Sequence, residues 1–186
     1  IGDIYTLVGV LLLFYQIGDM GSGGGFIKMM SQPGAKQKEL LSSYLAFKSV
    51  IVIFLLCSFL FFISYYFLFS PTREVLGLAI VSLAAIAGVK GGYYVSVLNA
   101  QRQYRRLSVT KILPPLVKTL IIAFLFFAGI QSFYWLLFAF LVPPFVSYAL
   151  AWRLNTTPIP KINFKALRSK YGKRLYYVSK WVCIIN

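Results

Sequence analysis

A few ionisable residues are set inside long apolar runs, where hydrocarbon makes them costly. Lys90 lies in AGVKGGYY, Lys48 in LAFKSVIVIF and Lys118 in PPLVKTLIIAF, while Asp19 and Lys28 share IGDMGSGGGFIK. An ionised side chain at the centre of a bilayer costs on the order of 3 kcal/mol on insertion scales, so it faces a cavity, pairs with a partner or reaches back to the headgroups. Lys48 and Lys118 lie within about two turns of the start of their apolar runs, so both snorkelling and a cavity role are open to them. Lys90 sits deeper, flanked by Gly88, Gly91 and Gly92, which leave room for a ligand or for a close helix contact. Asp19 is the only acid deep in an apolar run: it packs against a lysine, or it holds a coupling cation or proton. The glycines that follow it, Gly21, Gly23, Gly24 and Gly25, permit either tight packing or local unwinding.

The chain contains no histidine, which excludes His-based triads and His-ligated metal sites for these residues. Cys57 and Cys183 are far apart within apolar runs and are expected to be membrane-buried rather than paired or metal-bound. The acids Asp3, Asp19, Glu39 and Glu74 do not cluster in sequence. No catalytic residue, metal or cofactor is therefore expected.

The elements that position these residues are membrane helices. Hydrophobic residues make up 59% of the chain and charged residues 12%, against about 45–50% and about 25% in a soluble domain; the mean hydropathy is +0.77. The net charge of +15 lies between apolar runs rather than on a polar surface, which argues against nucleic acid. Because a spanning helix takes about 20 mostly apolar residues, the sequence predicts five complete segments. They run from Ile4 to Ile27, Tyr44 to Phe69, Val75 to Leu98, Ile112 to Ala128 and Phe133 to Trp152. A further segment begins at Leu175. Pro114 and Pro115 are expected to interrupt the start of the fourth, and Pro143 and Pro144 to bend or break the fifth. Tyr134, Trp135 and Trp152 stand near segment ends, where an amphipathic ring suits the interface.

The connections alternate in charge. Lys28, Lys36 and Lys38 follow the first segment, Arg102, Arg105, Arg106 and Lys111 the third, and Arg153, Lys161, Lys165, Arg168, Lys170, Lys173 and Arg174 the fifth. The intervening connections carry Arg73 alone. The positive-inside rule makes the rich side cytoplasmic and places Ile1 outside. A chain that starts outside without Met is expected to be a fragment lacking an earlier helix.

GDIYTLVGVLLLFYQIGDMGSGGGFIKMMSQ resembles the second transmembrane helix of the polysaccharide biosynthesis or O-antigen flippase family, within the multidrug/oligosaccharidyl-lipid/polysaccharide exporter superfamily. Gly2, Tyr5, Asp19, Gly21 and Lys28 stand where that family has its entry glycine and tyrosine, its Asp-Leu-Gly turn and the basic residue after it, with Lys28 where arginine is commoner. NAQRQYRRLSVTK and KINFKALRSKYGKRL follow the same family layout. The resemblance implies an all-α, polytopic transmembrane bundle forming part of the N-terminal lobe of a two-lobed transporter. Residues 1–153 would supply lobe helices, 154–174 a basic cytoplasmic inter-lobe linker and 175–186 the start of the second lobe. It implies a multi-pass protein of the bacterial cytoplasmic membrane. The expected activity is flipping of a polyprenyl-pyrophosphate-linked oligosaccharide by alternating access. Lys28, Lys48, Lys90 and Lys118 would meet the anionic headgroup, with Asp19 coupling H+ or Na+ or pairing within the cavity.

Three other readings stand beside this one. A multidrug exporter of the same superfamily would want an acidic cavity. A membrane-embedded glycosyltransferase or polymerase would want clustered acids or a large polar loop, and a truncated, inactive gene product would want neither. The charge pattern makes its own prediction: cysteines introduced at Gln37, Gln103 or Asn163 label only from the cytoplasm, and one at Thr72 only from outside. Labelling of Gln103 from outside intact cells would reverse the orientation.

Overall fold

A computed structural model describes the chain except residues 1, 20, 33, 35, 70, 71, 131 and 186; side chains are also left undescribed at 2–5, 7, 17, 66–69, 72–75 and 181–185. The described residues form helices without strands: α1 (Gly2–Asp19), α2 (Ser22–Met30), α3 (Gln37–Phe69), α4 (Thr72–Ala100), α5 (Tyr104–Phe127), α6 (Phe133–Leu154) and α7 (Lys170–Ile185). A 3-10 turn, Phe164–Arg168, precedes α7. Among the described residues, four stretches are long and apolar enough to cross a membrane: Gln37–Tyr65, Leu76–Ala100, Tyr104–Phe127 and Phe133–Leu154. This is an all-helical membrane protein. Only helices that satisfy their own backbone can cross hydrocarbon without a closed barrel, which is why long apolar runs become helices here.

Three expectations are corrected. The first segment is not continuous from Ile4 to Ile27: it breaks between α1 and α2, where Gly21 adopts φ +66°, a left-handed conformation that glycine enters without a Cβ clash. The fourth segment starts at Tyr104, well before Ile112, and runs through Pro114 and Pro115. Likewise α6 continues through Pro143 and Pro144, so these prolines do not break it. Proline fixes φ near the helical value and removes only its own N–H, a loss that neighbouring helices make tolerable.

Packing is organised on α4, which touches α1, α2, α3, α5 and α6. Small residues permit this. The ring of Tyr15 lies directly over Gly88, and its hydroxyl donates to Ala84 O at 3.3 Å. Gly91 approaches the backbone of Tyr148 so closely that an added Cβ would lie 3.3 Å from Tyr148 Cα. One apolar cluster joins α1, α3, α4 and α6 through Leu11, Phe14, Leu55, Val81, Ala85 and Leu137. A second joins α2, α3, α4 and α7 through Phe26, Met29, Leu40, Tyr44, Val97 and Leu175.

The outward faces are apolar. Ile53, Phe54, Leu60 and Phe61 on α3 and Leu116, Leu120, Phe124 and Phe127 on α5 are exposed at helical spacing, as lipid-facing stripes are. Cys57 is exposed on the same run of α3; the Cys183 side chain lies outside the described residues. Tyr134, Trp135 and Trp152 are exposed near the two ends of α6. The basic connections meet at one end of the bundle. There the Lys36 amide donates to Tyr171 Oη at 3.4 Å, and Arg106 Nη1 donates to Leu154 O at 3.1 Å.

The two neighbouring glycines make a paired test. Gly91→Leu drives a side chain into the α6 backbone and is expected to cost about 1–3 kcal/mol, read as a lower thermal unfolding midpoint in detergent. Gly92, where a Cβ meets nothing within 4 Å, should accept leucine at less cost. Equal losses at the two positions would contradict the close α4–α6 approach.

Candidate functional site

The break between α1 and α2 sets up a buried charge. The last carbonyls of a helix have no intrahelical donor and carry the negative end of its dipole. Here Gly18 O accepts from Lys48 Nζ at 2.9 Å, and Asp19 Oδ1 lies 3.1 Å from the same nitrogen. Lys48 is 3% exposed, whereas the Asp19 side chain is 56% exposed. The snorkelling reading of Lys48 is therefore corrected: its ammonium is held inside the bundle because the broken helix supplies a carboxylate and a carbonyl there. Glycines at two flanking positions leave room for their neighbours' side chains. A Cβ on Gly18 would lie 2.3 Å from Val89 Cγ2, and one on Gly23 would lie 2.9 Å from Ser96 Oγ and 3.2 Å from Asp19 Oδ1. Ser22 Oγ donates to Asp19 O at 2.6 Å, closing the turn.

Beside this pair, aromatic rings run from α2 to α6. Phe26 stacks on Tyr44 at 4.2 Å between centroids, Tyr44 meets Tyr93 at 5.4 Å, Tyr93 meets Tyr94 at 5.2 Å, and Tyr94 meets Tyr148 at 6.0 Å. Tyr44 Oη donates to Ser96 Oγ at 3.0 Å, so the buried phenol is satisfied.

Two cavities flank the line. The first, about 450 Å³, lies among α1, α3, α4, α5 and α6, with Tyr15, Asp19, Lys48, Thr110, Lys111 and Ser147 as its polar lining. The second, about 520 Å³, is lined by Lys48, Lys90, Tyr93, Tyr94 and Tyr148, and by a strap, residues 159–164, that includes Lys161. Lys48 borders both. Ile53, half exposed on the apolar outer face of α3, forms part of the rim of the second cavity, so that cavity reaches the lipid-facing surface. Its lining contains no carboxylate among the described residues.

Of the residues singled out in the sequence, Lys48 and Lys90 come together in the second cavity, and Asp19 joins Lys48 at the first. Lys28 is exposed on α2 and lines neither cavity. Lys118 also lines neither. Its helix starts at Tyr104, and Lys111, about two turns earlier on α5, stands between it and the basic end of the bundle. The Lys118 ammonium lies over the Phe140 ring, 4.0 Å from the centroid. Sequence reasoning treated Lys111 and Lys161 as topology charges only. Lys161 stands between Pro160 and Ile162 in a segment with no helical period, and that mixture of apolar and basic residues was the available signal.

No family model, curated protein or solved structure matches the chain.

The ion pair has a measurable signature. Asp19→Asn keeps an acceptor oxygen but removes the counter-charge of the buried Lys48 ammonium, and is expected to cost about 1–3 kcal/mol of stability, less than a fully buried pair because Asp19 is half exposed to screening. Adding Lys48→Met should recover most of that loss. Simple additivity of the two changes in a double-mutant cycle would show that the groups do not interact.

Proposed function

We propose that the chain forms part of the N-terminal lobe of a two-lobed flippase. It would carry a polyprenyl-pyrophosphate-linked oligosaccharide across the bacterial cytoplasmic membrane by alternating access, as a transporter rather than an enzyme. The observation that carries this reading is the second cavity. It combines Lys48, Lys90 and Lys161 with tyrosines, has no carboxylate in its described lining, and extends to the lipid-facing surface at Ile53. An ammonium in a poorly screened cavity attracts a phosphate far more strongly than it does in water. An opening toward hydrocarbon suits a substrate whose tail stays in lipid.

The charges within the site divide the work. Asp19 already compensates Lys48, so Lys90 and Lys161 supply most of the uncompensated positive potential. Asp19, exposed to the first cavity, is the residue we assign to H+ or Na+ coupling or to holding Lys48 in place. A multidrug exporter for organic cations fits this lining poorly, because lysines repel its cargo. A glycosyltransferase or polymerase would want clustered acids or a large polar loop, and in the sequence Asp3, Asp19, Glu39 and Glu74 stand apart.

Lys90 is the decisive position. In cells that display the surface polysaccharide, Lys90→Ala or Lys90→Glu should abolish display while leaving membrane insertion intact, and Lys90→Arg should retain part of it. Replacement of Lys48 carries an added stability loss, so its effect is normalised to protein abundance. Wild-type display by Lys90→Ala at equal abundance would remove the basis for the flippase reading.

A further inference from the structure

The strap that walls the second cavity is fastened at both ends and loose in the middle. On one side, Thr157 bonds with Gln101, and Arg106 Nη1 donates to Leu154 O at 3.1 Å and to Thr156 Oγ1 at 3.2 Å. On the other side, Ser43 Oγ of α3 lies 3.2 Å from Ala166 O and 3.3 Å from Ser169 Oγ. Between these anchors, no hydrogen bond ties residues 158–162 to a transmembrane helix among the described residues. Pro158 and Pro160 have no N–H to offer, and this stretch adopts neither helix nor strand. Ile159, Ile162 and Phe164 remain about half exposed although they line the cavity, so the strap rests on the site without being packed into it.

Lys161 is the only charge that the strap's cavity-lining residues bring to the cavity. Lys90 and Lys48, from α4 and α3, line the same cavity. Lys48 spends two donors on Gly18 and Asp19 and, having three, keeps one further proton. Lys90 and Lys161 are exposed and Lys48 is buried; like charges brought closer repel, so in the empty cavity Lys161 opposes closure of the strap that carries it. An anion bearing more than one charge reverses that sign, because each ammonium is then attracted to the same group.

We infer that Lys161 is a ligand-binding residue through which a pyrophosphate-class anion draws the 159–164 strap closed over the second cavity. The strap acts on the anion-binding cavity proposed above and so depends on that reading. Lys161 contributes affinity only when the strap is down, and the anion shifts the strap toward the closed arrangement by its greater affinity for it. The two anchors confine the movement to the loose middle.

The test uses the full chain in inside-out membrane vesicles, with Cys57 and Cys183 replaced by serine and inorganic pyrophosphate as the probe. Cysteines at Ser49 and Ile162, which both line the cavity, report closure by their rate of oxidative cross-linking. Pyrophosphate should raise that rate by at least about fivefold, the lower end of typical coupling between linked equilibria. Lys161→Ala should remove the acceleration and Lys161→Arg should keep it. A rate that falls or stays constant with pyrophosphate, or an acceleration that survives Lys161→Ala, overturns the inference. Protection of Ser49→Cys alone against a charged maleimide is measured in parallel. Protection without accelerated cross-linking rejects the strap and leaves the anion site standing. Absence of protection rejects both.

Discussion

The ammonium of Lys48 has to be neutralised where it lies, and much of the bundle is arranged around that requirement. A lysine 3% exposed in an apolar helix needs a counter-charge and hydrogen-bond acceptors within reach. Both come from the place where the first segment ends as α1 and restarts as α2. The restart uses a left-handed residue, supplied by Gly21. Gly18 and Gly23 then let α4 approach close enough for Val89 and Ser96 to wall in the pair. One electrostatic demand thus fixes the relative placement of α1, α2, α3 and α4.

The same demand divides the positive charge of the interior. Lys48 is tied to Asp19, whereas Lys90 and Lys161 face the second cavity with no carboxylate in its described lining. The line of rings from Phe26 to Tyr148 forms a stiff partition beside them, because successive rings lock each other's orientation across four helices. Charge that is free to act on a ligand therefore sits against a rigid wall on one side and a loosely held strap on the other.

The membrane helices were legible because length and apolarity are properties of the sequence itself. The positions that needed attention, Asp19 and Lys90, were legible because charge is rare in such runs. Orientation was not. In a lipid-facing bundle both the packed and the outward sides of a helix are apolar, so no period distinguishes a lysine that turns inward from one that snorkels. Lys48 could be settled only once the α1–α2 break was known, although the run of glycines after Asp19 was compatible with one. The early start of α5 was hidden because Arg105, Arg106 and Lys111 give its first turns the look of a loop. Lys161 was harder to read for another reason: the apolar–basic mixture around it marks an unusual segment, but the contact of residues 159–164 with a cavity between α3, α4 and α6 depends on tertiary folding.

The paired prolines of α5 and α6 also have a consequence for the main chain. Pro114, Pro143 and Pro144 border the first cavity, and each proline deprives the carbonyl four residues earlier of its amide donor. With Pro115 included, the carbonyls so affected are those of Thr110 and Lys111 on α5 and of Ala139 and Phe140 on α6. Of these, Thr110 and Lys111 belong to the wall of the first cavity, whereas Ala139 is fully buried. Because such acceptors belong to the main chain, side-chain substitution at Thr110 or Lys111 would leave them in place, and only restoring the N–H groups would remove them.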